Sequence, residues 1–176
     1  ITDHHTVNKT LPDAYAVVNP QRPDCPYPEK GLCGTGLAFR VAELVAVQLG
    51  VDAESLFGLL DLVALATVAD LVPLDGENRV LVHFGLKTFR KTQVTGIRAL
   101  VKVAKVEIDQ INAGHLGFQL APRINAAGRI GDSADALKML LVEDEKEATR
   151  MARQLDQGVP AAALHGVYER PDITVA

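Results

Sequence analysis

An α/β fold with a parallel sheet, of which this 176-residue chain carries mostly helices, is what the sequence predicts. Three observations lead there. Residues 14–18 (AYAVV) form a short apolar run closed by Asn19-Pro20, the pattern of a buried strand. Ile1-Thr2 reads as the last step of another strand whose earlier residues lie upstream, as in a piece of a longer protein. From residue 36 onward, apolar residues recur at helical spacing.

The elements follow in order. QRPDCPYPEKG, after the first strand, carries three prolines and is expected to be an irregular loop. Over residues 36–49, Leu37, Val41, Leu44, Val45 and Leu49 fall on one stripe, with Arg40 and Glu43 off it and Gly50 as the stop. That predicts an amphipathic helix against a core. SLFGLLDLVALATVADLVP is apolar around almost the whole wheel and predicts a helix buried on most sides, ended by Pro73. Helical patterns continue in NRVLVHFGLKTFRK and TGIRALVKVAKV, and a short helix is expected over residues 108–120. LAPRINAAGRIGDS is expected to be a glycine-broken loop leading into a helix that begins near Asp132-Ser133. In a last helix over residues 142–155, acids come early and Arg150 and Arg153 late, matching the helix dipole at both ends. Gly158 and Pro160 end it. Residues 1–157 are therefore expected to belong together, with residues 158–176 as a tail of no recognisable pattern.

Composition excludes some functions. With 48% hydrophobic and 23% charged residues the chain has the balance of a globular protein. No apolar run approaches the roughly 20 residues needed to cross a bilayer and no signal sequence opens the chain, so a cytoplasmic protein without membrane contact is expected. A net charge of -4 argues against a globally basic nucleic-acid binder but leaves room for a local basic groove. Cys25 and Cys33 have neither zinc-site nor redox-motif spacing and are expected to be plain thiols.

Three constellations carry chemistry. Asp3, His4 and His5 are consecutive, so on an extended chain they cannot all ligate one ion in the same way. One histidine would bind a metal while its neighbours orient it or contact substrate; the plainer alternative is a polar loop whose histidines meet water. Asp70 ends the apolar helix, where the negative end of the dipole disfavours a carboxylate unless a positive group is near. A bound cation would resolve that conflict, as would a turn outward to water or a pair with Arg79. Asp61, inside the same helix, is expected to be exposed or hydrogen-bonded rather than a ligand. In PRINAAGRIGDS, Arg123, Asn125 and Arg129 supply guanidinium forks and an amide suited to phosphate or carboxylate, with pairing to Asp132 and Asp135 as the structural alternative.

Taken together, DHH, ALATVADLVPLDGENR and GFQLAPRINAAGRIGDS resemble the DHH phosphoesterase superfamily and, within it, the RecJ family of bacterial single-stranded-DNA exonucleases. The triplet is shared across the superfamily, and the LAPRINAAGR segment at its spacing after VADLVPL is the more specific mark. The resemblance runs over residues 1–155. It implies a partial DHH-type domain and following helical segment within residues 1–157. It also implies a metal-dependent exonuclease that hydrolyses single-stranded DNA from the 5′ end using Mn²⁺ or Mg²⁺. His4 and Asp70 would be metal ligands, Asp3 would support them, and His5 would face the scissile phosphate. The segment with Arg123, Asn125 and Arg129 would grip DNA phosphates. A single-stranded-DNA-binding protein and a helicase are the partners such a relationship implies.

Two departures qualify it. The family's aspartate-rich ligand motifs precede the triplet and its glycine- and histidine-rich substrate domain follows, and neither occurs in these residues. This chain alone is therefore expected to be inactive. One alternative is a DHH phosphoesterase acting on oligonucleotides, cyclic dinucleotides or pyrophosphate, against which the residues 123–129 argue. Another is a catalytically silent scaffold or nucleic-acid-binding module, against which the intact Asp3, His4, His5 and Asp70 argue.

Overall fold

The computed structural model describes residues 1–159 except Lys9, Gly131 and Ser133, and the backbone without the side chains of residues 128–130. The chain divides into two units, Ile1–Gly85 and Leu86–Ala176.

In the first unit, a parallel bridge joins Thr2 to Val18, with Asp3 N–H donating to the Val18 carbonyl at 3.0 Å and Val18 N–H to the Ile1 carbonyl at 2.9 Å. This is the only β pairing among the described residues; no longer strand forms. The expectation of a buried strand at residues 14–18 does not hold. Tyr15 is fully exposed and Ala14, Ala16 and Val18 are exposed, since among the described residues the bridge to Thr2 is the only β pairing along them. The mostly helical character is as expected.

Helix α1 (Gly34–Gln48) is capped by Cys33, whose Sγ accepts the Gly36 N–H at 3.3 Å. It ends at Leu49 before Gly50, whose φ of +69° favours glycine. The predicted stripe is displaced. Leu37 is buried, but Leu44 and Leu49 are 68% and 74% exposed, while Phe39 and Ala46 turn inward. The core that selects this face groups Phe39 with Leu32, Leu60, Val63 and Leu81.

The long apolar segment is two elements rather than one helix. Asp52 accepts the Glu54 N–H at 2.9 Å and starts a 3₁₀ turn, Ala53–Leu59, followed by α2 (Leu60–Ala69). Six residues of α2 on different sides, Leu60, Val63, Ala64, Leu65, Thr67 and Val68, are buried, as expected of a helix enclosed on most sides. Asp70 is its C-cap, and Leu71 then takes a left-handed φ of 57°. Helix α3 (Gly76–Phe89) lies so close to α2 that a Cβ on Gly85 would stand 2.3 Å from the Leu60 carbonyl oxygen. The boundary between units falls within α3, after Gly85.

In the second unit, α4 (Thr95–Val103) buries Ile97, Leu100 and Val101. The expected helix over residues 108–120 is broken into a 3₁₀ turn (Ile108–Gln110), a single helical turn α5 (Ala113–His115) and a π turn (Leu116–Leu120). Asn112 imposes the break, accepting the His115 N–H while His115 Nδ1 accepts the Asn112 N–H. The segment read as a glycine-broken loop is instead α6 (Ala121–Ile130). Its Pro122 has no N–H to give a preceding carbonyl, and the widened π turn directly before it accommodates that loss. Buried Ala126 and Ala127 then let α6 pack. Helices α7 (Ala134–Leu141) and α8 (Glu145–Gln157) follow, the latter capped by Asp144 accepting the Glu147 N–H at 2.7 Å. Gly96 on α4 meets α7 closely, a Cβ there falling 1.9 Å from the Met139 carbonyl oxygen. From Pro160 onward the tail lies outside the described residues. Among the described residues no helix is long and apolar enough to cross a membrane.

Candidate metal centre

The bridge between Thr2 and Val18 delivers Asp3, His4 and His5 at its end. Asp3 organises the triplet. Its Oδ1 accepts the His4 N–H at 2.9 Å and the His5 N–H at 3.3 Å, and lies 2.7 Å from His5 Nδ1. The His5 side chain first, and then the backbone N–H groups, hold the Asp3 carboxyl below its usual range. From the other side, buried Asn19 donates through Nδ2 to the His5 carbonyl at 2.9 Å, while its Oδ1 accepts the Gln21 N–H at 2.8 Å. The turn after Val18 thus pins the triplet.

His4 and Asp70 come together across 66 residues of sequence. His4 Nδ1 lies 3.3 Å from Asp70 Oδ2, with His4 mostly buried and Asp70 open to solvent. Of the alternatives for Asp70, the side chain found beside it near the helix end is His4 rather than Arg79. The His4 ring stacks obliquely on that of His5, centroids 4.3 Å apart, and rests against the start of α1 at Gly34. A Cβ on Gly34 would stand 3.3 Å from His4 Cδ2, close enough that the ring would have to give by a few tenths of an ångström. Behind it, Cys33 Sγ lies 3.4 Å from Thr67 Oγ1, tying the start of α1 to α2. His5 is largely exposed.

One nitrogen and one carboxylate oxygen about 3.3 Å apart are spaced like neighbouring donors around a hard, octahedral cation, whose edges are roughly 3 Å for ligand distances near 2.1 Å. The pair fits a divalent ion as two of its ligands. Among the described residues no group of three or more His, Cys, Asp or Glu side chains is placed to hold a metal ion. Asp61 stands apart from this constellation: it is buried and accepts the Leu62 N–H at 2.6 Å.

Arg123 and Asn125 belong to the second unit, on α6. Arg123 is only 7% exposed, its Nε donating to Asp156 Oδ1 at 2.8 Å and its NH1 to the Gln119 carbonyl. Its carboxylate partner is therefore Asp156 on α8, not Asp132 or Asp135; Asp135 pairs with Lys138. Asn125 is exposed, and the side chain of Arg129 lies outside the described residues. Two contributors escaped the reading of the sequence. Asn19 read only as a strand stop, and Gly34 drew no reading at all. A glycine in CGTG at a helix start hints at a close approach, but nothing in the sequence says that the approaching group is His4.

Residues 1–67 match the N-terminal domain of the DHH family. The chain is 43% identical over 157 residues to the single-stranded-DNA-specific exonuclease RecJ of Bacillus subtilis (strain 168), covering 89% of this chain and 19% of that protein. The crystal structure of Thermus thermophilus RecJ in complex with Mn²⁺ matches with a TM-score of 0.78 at 37% identity, over 89% of this chain and 23% of that one. The Mg²⁺ complex of RecJ from the same organism matches with a TM-score of 0.68 at 34% identity, over 77% of this chain and 21% of that one. The chain spans between 19% and 32% of the length of the curated relatives it matches.

Proposed function

Because residues 1–67 match the N-terminal domain of the DHH family and the chain is similar over most of its length to RecJ, we propose that it is part of a metal-dependent exonuclease degrading single-stranded DNA from the 5′ end. The observation that carries this reading is the approach of His4 Nδ1 to Asp70 Oδ2, two donors from opposite ends of the first unit, at 3.3 Å. His4 and Asp70 hold Mn²⁺ or Mg²⁺, the ions carried by the RecJ structures that match. A bound divalent ion lowers the pKa of its water and neutralises charge developing on a phosphodiester.

The chain's own residues do the rest. Asp3, held ionised by its hydrogen bonds, fixes the backbone of the triplet and the ring of His5, which stands exposed where a scissile phosphate can meet it. Asn125 and Arg129 contact DNA phosphates along α6. Arg123, with its guanidinium committed to Asp156 and Gln119, serves that segment by holding α6 to α8. Phosphate contacts of this kind give little sequence preference and strong salt dependence. Among the described residues these are the two donors that meet, and two donors hold a divalent ion weakly. Residues 1–157 form one working segment with 158–176 as its tail. The bridge between Thr2 and Val18 belongs to a parallel sheet. The protein works in the cytoplasm, beside a single-stranded-DNA-binding protein and a helicase.

Digestion of 5′-labelled single-stranded DNA by the full-length protein with Mn²⁺ tests the proposal. Release of label from the 5′ end, lost in His5→Ala, supports it. Hydrolysis of dinucleotides with intact DNA would reassign the substrate, and no hydrolysis of either would return the chain to a scaffold.

A further inference from the structure

Asn78 is wholly buried near the start of α3, yet it is polar. Its Nδ2 donates to two backbone carbonyls at once, Gly31 at 2.8 Å and Pro73 at 3.0 Å. Its Oδ1 has no hydrogen-bond partner among the described residues. Turning the amide over would set that oxygen against both carbonyls, so the two donated bonds fix its orientation. An amide kept in a dry place with one end unsatisfied is explained by what its other end holds.

Both carbonyls lie on arms of chain that end at the candidate metal centre. Pro73 is three residues beyond Asp70, and Gly31 is three residues before Gly34, on which the His4 ring rests. Between Asp70 and Pro73 the chain passes through Leu71 at φ 57°, a conformation that leucine disfavours. Leu71 is 78% exposed, so its own packing does not hold it there. Its N–H donates to the Val68 carbonyl at 3.2 Å, the left-handed ending common to helices, and the Asn78 bond to Pro73 holds the chain just beyond it. The other arm is gripped at both polar groups of Gly31, whose N–H donates to Glu29 Oε1 at 2.9 Å while its carbonyl accepts from Asn78. The second oxygen of Glu29 accepts the Glu77 N–H at 3.4 Å, which anchors this arm too on the start of α3.

We infer that Asn78 is a positioning residue of the metal centre: its amide clasps the Pro73 and Gly31 arms to one helix and so sets the separation of His4 from Asp70. The inference rests on the reading of those two residues as metal ligands. Mn²⁺ titration by calorimetry on the full-length protein tests it, with each variant checked as folded by circular dichroism. Asn78→Asp keeps the shape and removes the donors. Val82→Ala, at a wholly buried site in the same helix, loses packing without touching either arm's hydrogen bonds. The expected result is a loss of Mn²⁺ affinity of about tenfold or more in Asn78→Asp, the size seen when a metal ligand loses its supporting partner, and little change in Val82→Ala. Glu29→Ala, at a half-buried site, should weaken binding in the same direction, and it carries the test alone if Asn78→Asp does not fold. Unchanged affinity in the Asn78 and Glu29 variants, or an equal loss in Val82→Ala, would overturn the clasp. A His4→Ala arm separates the two ideas. If it abolishes binding while Asn78→Asp does not, only the clasp fails; if it leaves binding intact, the ligand reading fails and the clasp with it.

Discussion

Replacing Gly85 with alanine isolates the contact on which the geometry of α2, and so of Asp70, depends. The added Cβ would lie 2.3 Å from the Leu60 carbonyl oxygen and 2.5 Å from the Ala64 Cβ. Carbon atoms attract best at about 3.5–4.0 Å, so α2 and α3 must separate by roughly 1 Å to admit it. Neither obstacle can rotate aside, since one is backbone and the other is a buried alanine in a helix. Opening this seam loosens the packing around Val63 and Leu81, which are 1% and 3% exposed. Alanine gains about 1 kcal/mol over glycine in helix propensity, while overpacking of this kind costs about 3 kcal/mol or more when backbone is the obstacle. The clash wins by about 2 kcal/mol. For a chain of this length that is a fall in melting temperature of about 4–8 °C. Urea denaturation measures it, with Gly58→Ala as the control, because a Cβ at Gly58 meets nothing within 4 Å. An unchanged or raised midpoint for Gly85→Ala, at unchanged slope, would refute the reasoning.

Three further outcomes are expected. The Tyr27 phenol is pushed up to about 12, first by burial and then by the Glu77 carboxylate to which it donates. Its unfolded counterpart ionises near 10, so its contribution is intact below pH 10 and is lost as pH rises from there through about 12. Two units correspond to about 2.7 kcal/mol, reduced by solvent screening of this half-buried group to about 1 kcal/mol, and Tyr27→Phe should flatten that part of the stability profile. Gly34→Ala should weaken Mn²⁺ binding by up to about tenfold in calorimetry with no loss of melting temperature, because the methyl displaces the His4 ring rather than a core residue. Arg123→Met keeps the apolar stem and removes the pair with Asp156; with that acid partly exposed, the loss should be about 1–2 kcal/mol by denaturation.

His4 and Asp70 were paired in the sequence only through the resemblance to the DHH superfamily, since the position of each by itself left a plainer alternative open. His4 follows the short β pairing, and Asp70 closes a helix apolar on all sides. Patterning could not say which face of α1 turns inward. Apolar residues occur all around it, and only the position of Leu60, Val63 and Leu81 selects Phe39 over Leu44. The Arg123 segment misled because glycines and a proline argue for a loop. A π turn before Pro122 and small buried residues after it keep the chain helical. Asn78 was invisible for a different reason: it opens the helical pattern NRVLVHFGLKTFRK as an ordinary polar residue, and its two carbonyl partners are distant choices that only the fold reveals.

The most direct test of the metal centre is a Mn²⁺ titration of the full-length protein by calorimetry beside His4→Ala and Asp70→Ala. If the two residues are ligands, each substitution abolishes tight binding or weakens it by well over about tenfold, while the melting temperature of the metal-free protein stays near that of the wild type. Mn²⁺ binding equal to wild type in both variants would show that the 3.3 Å approach of His4 to Asp70 is an ordinary surface ion pair and would contradict the assignment.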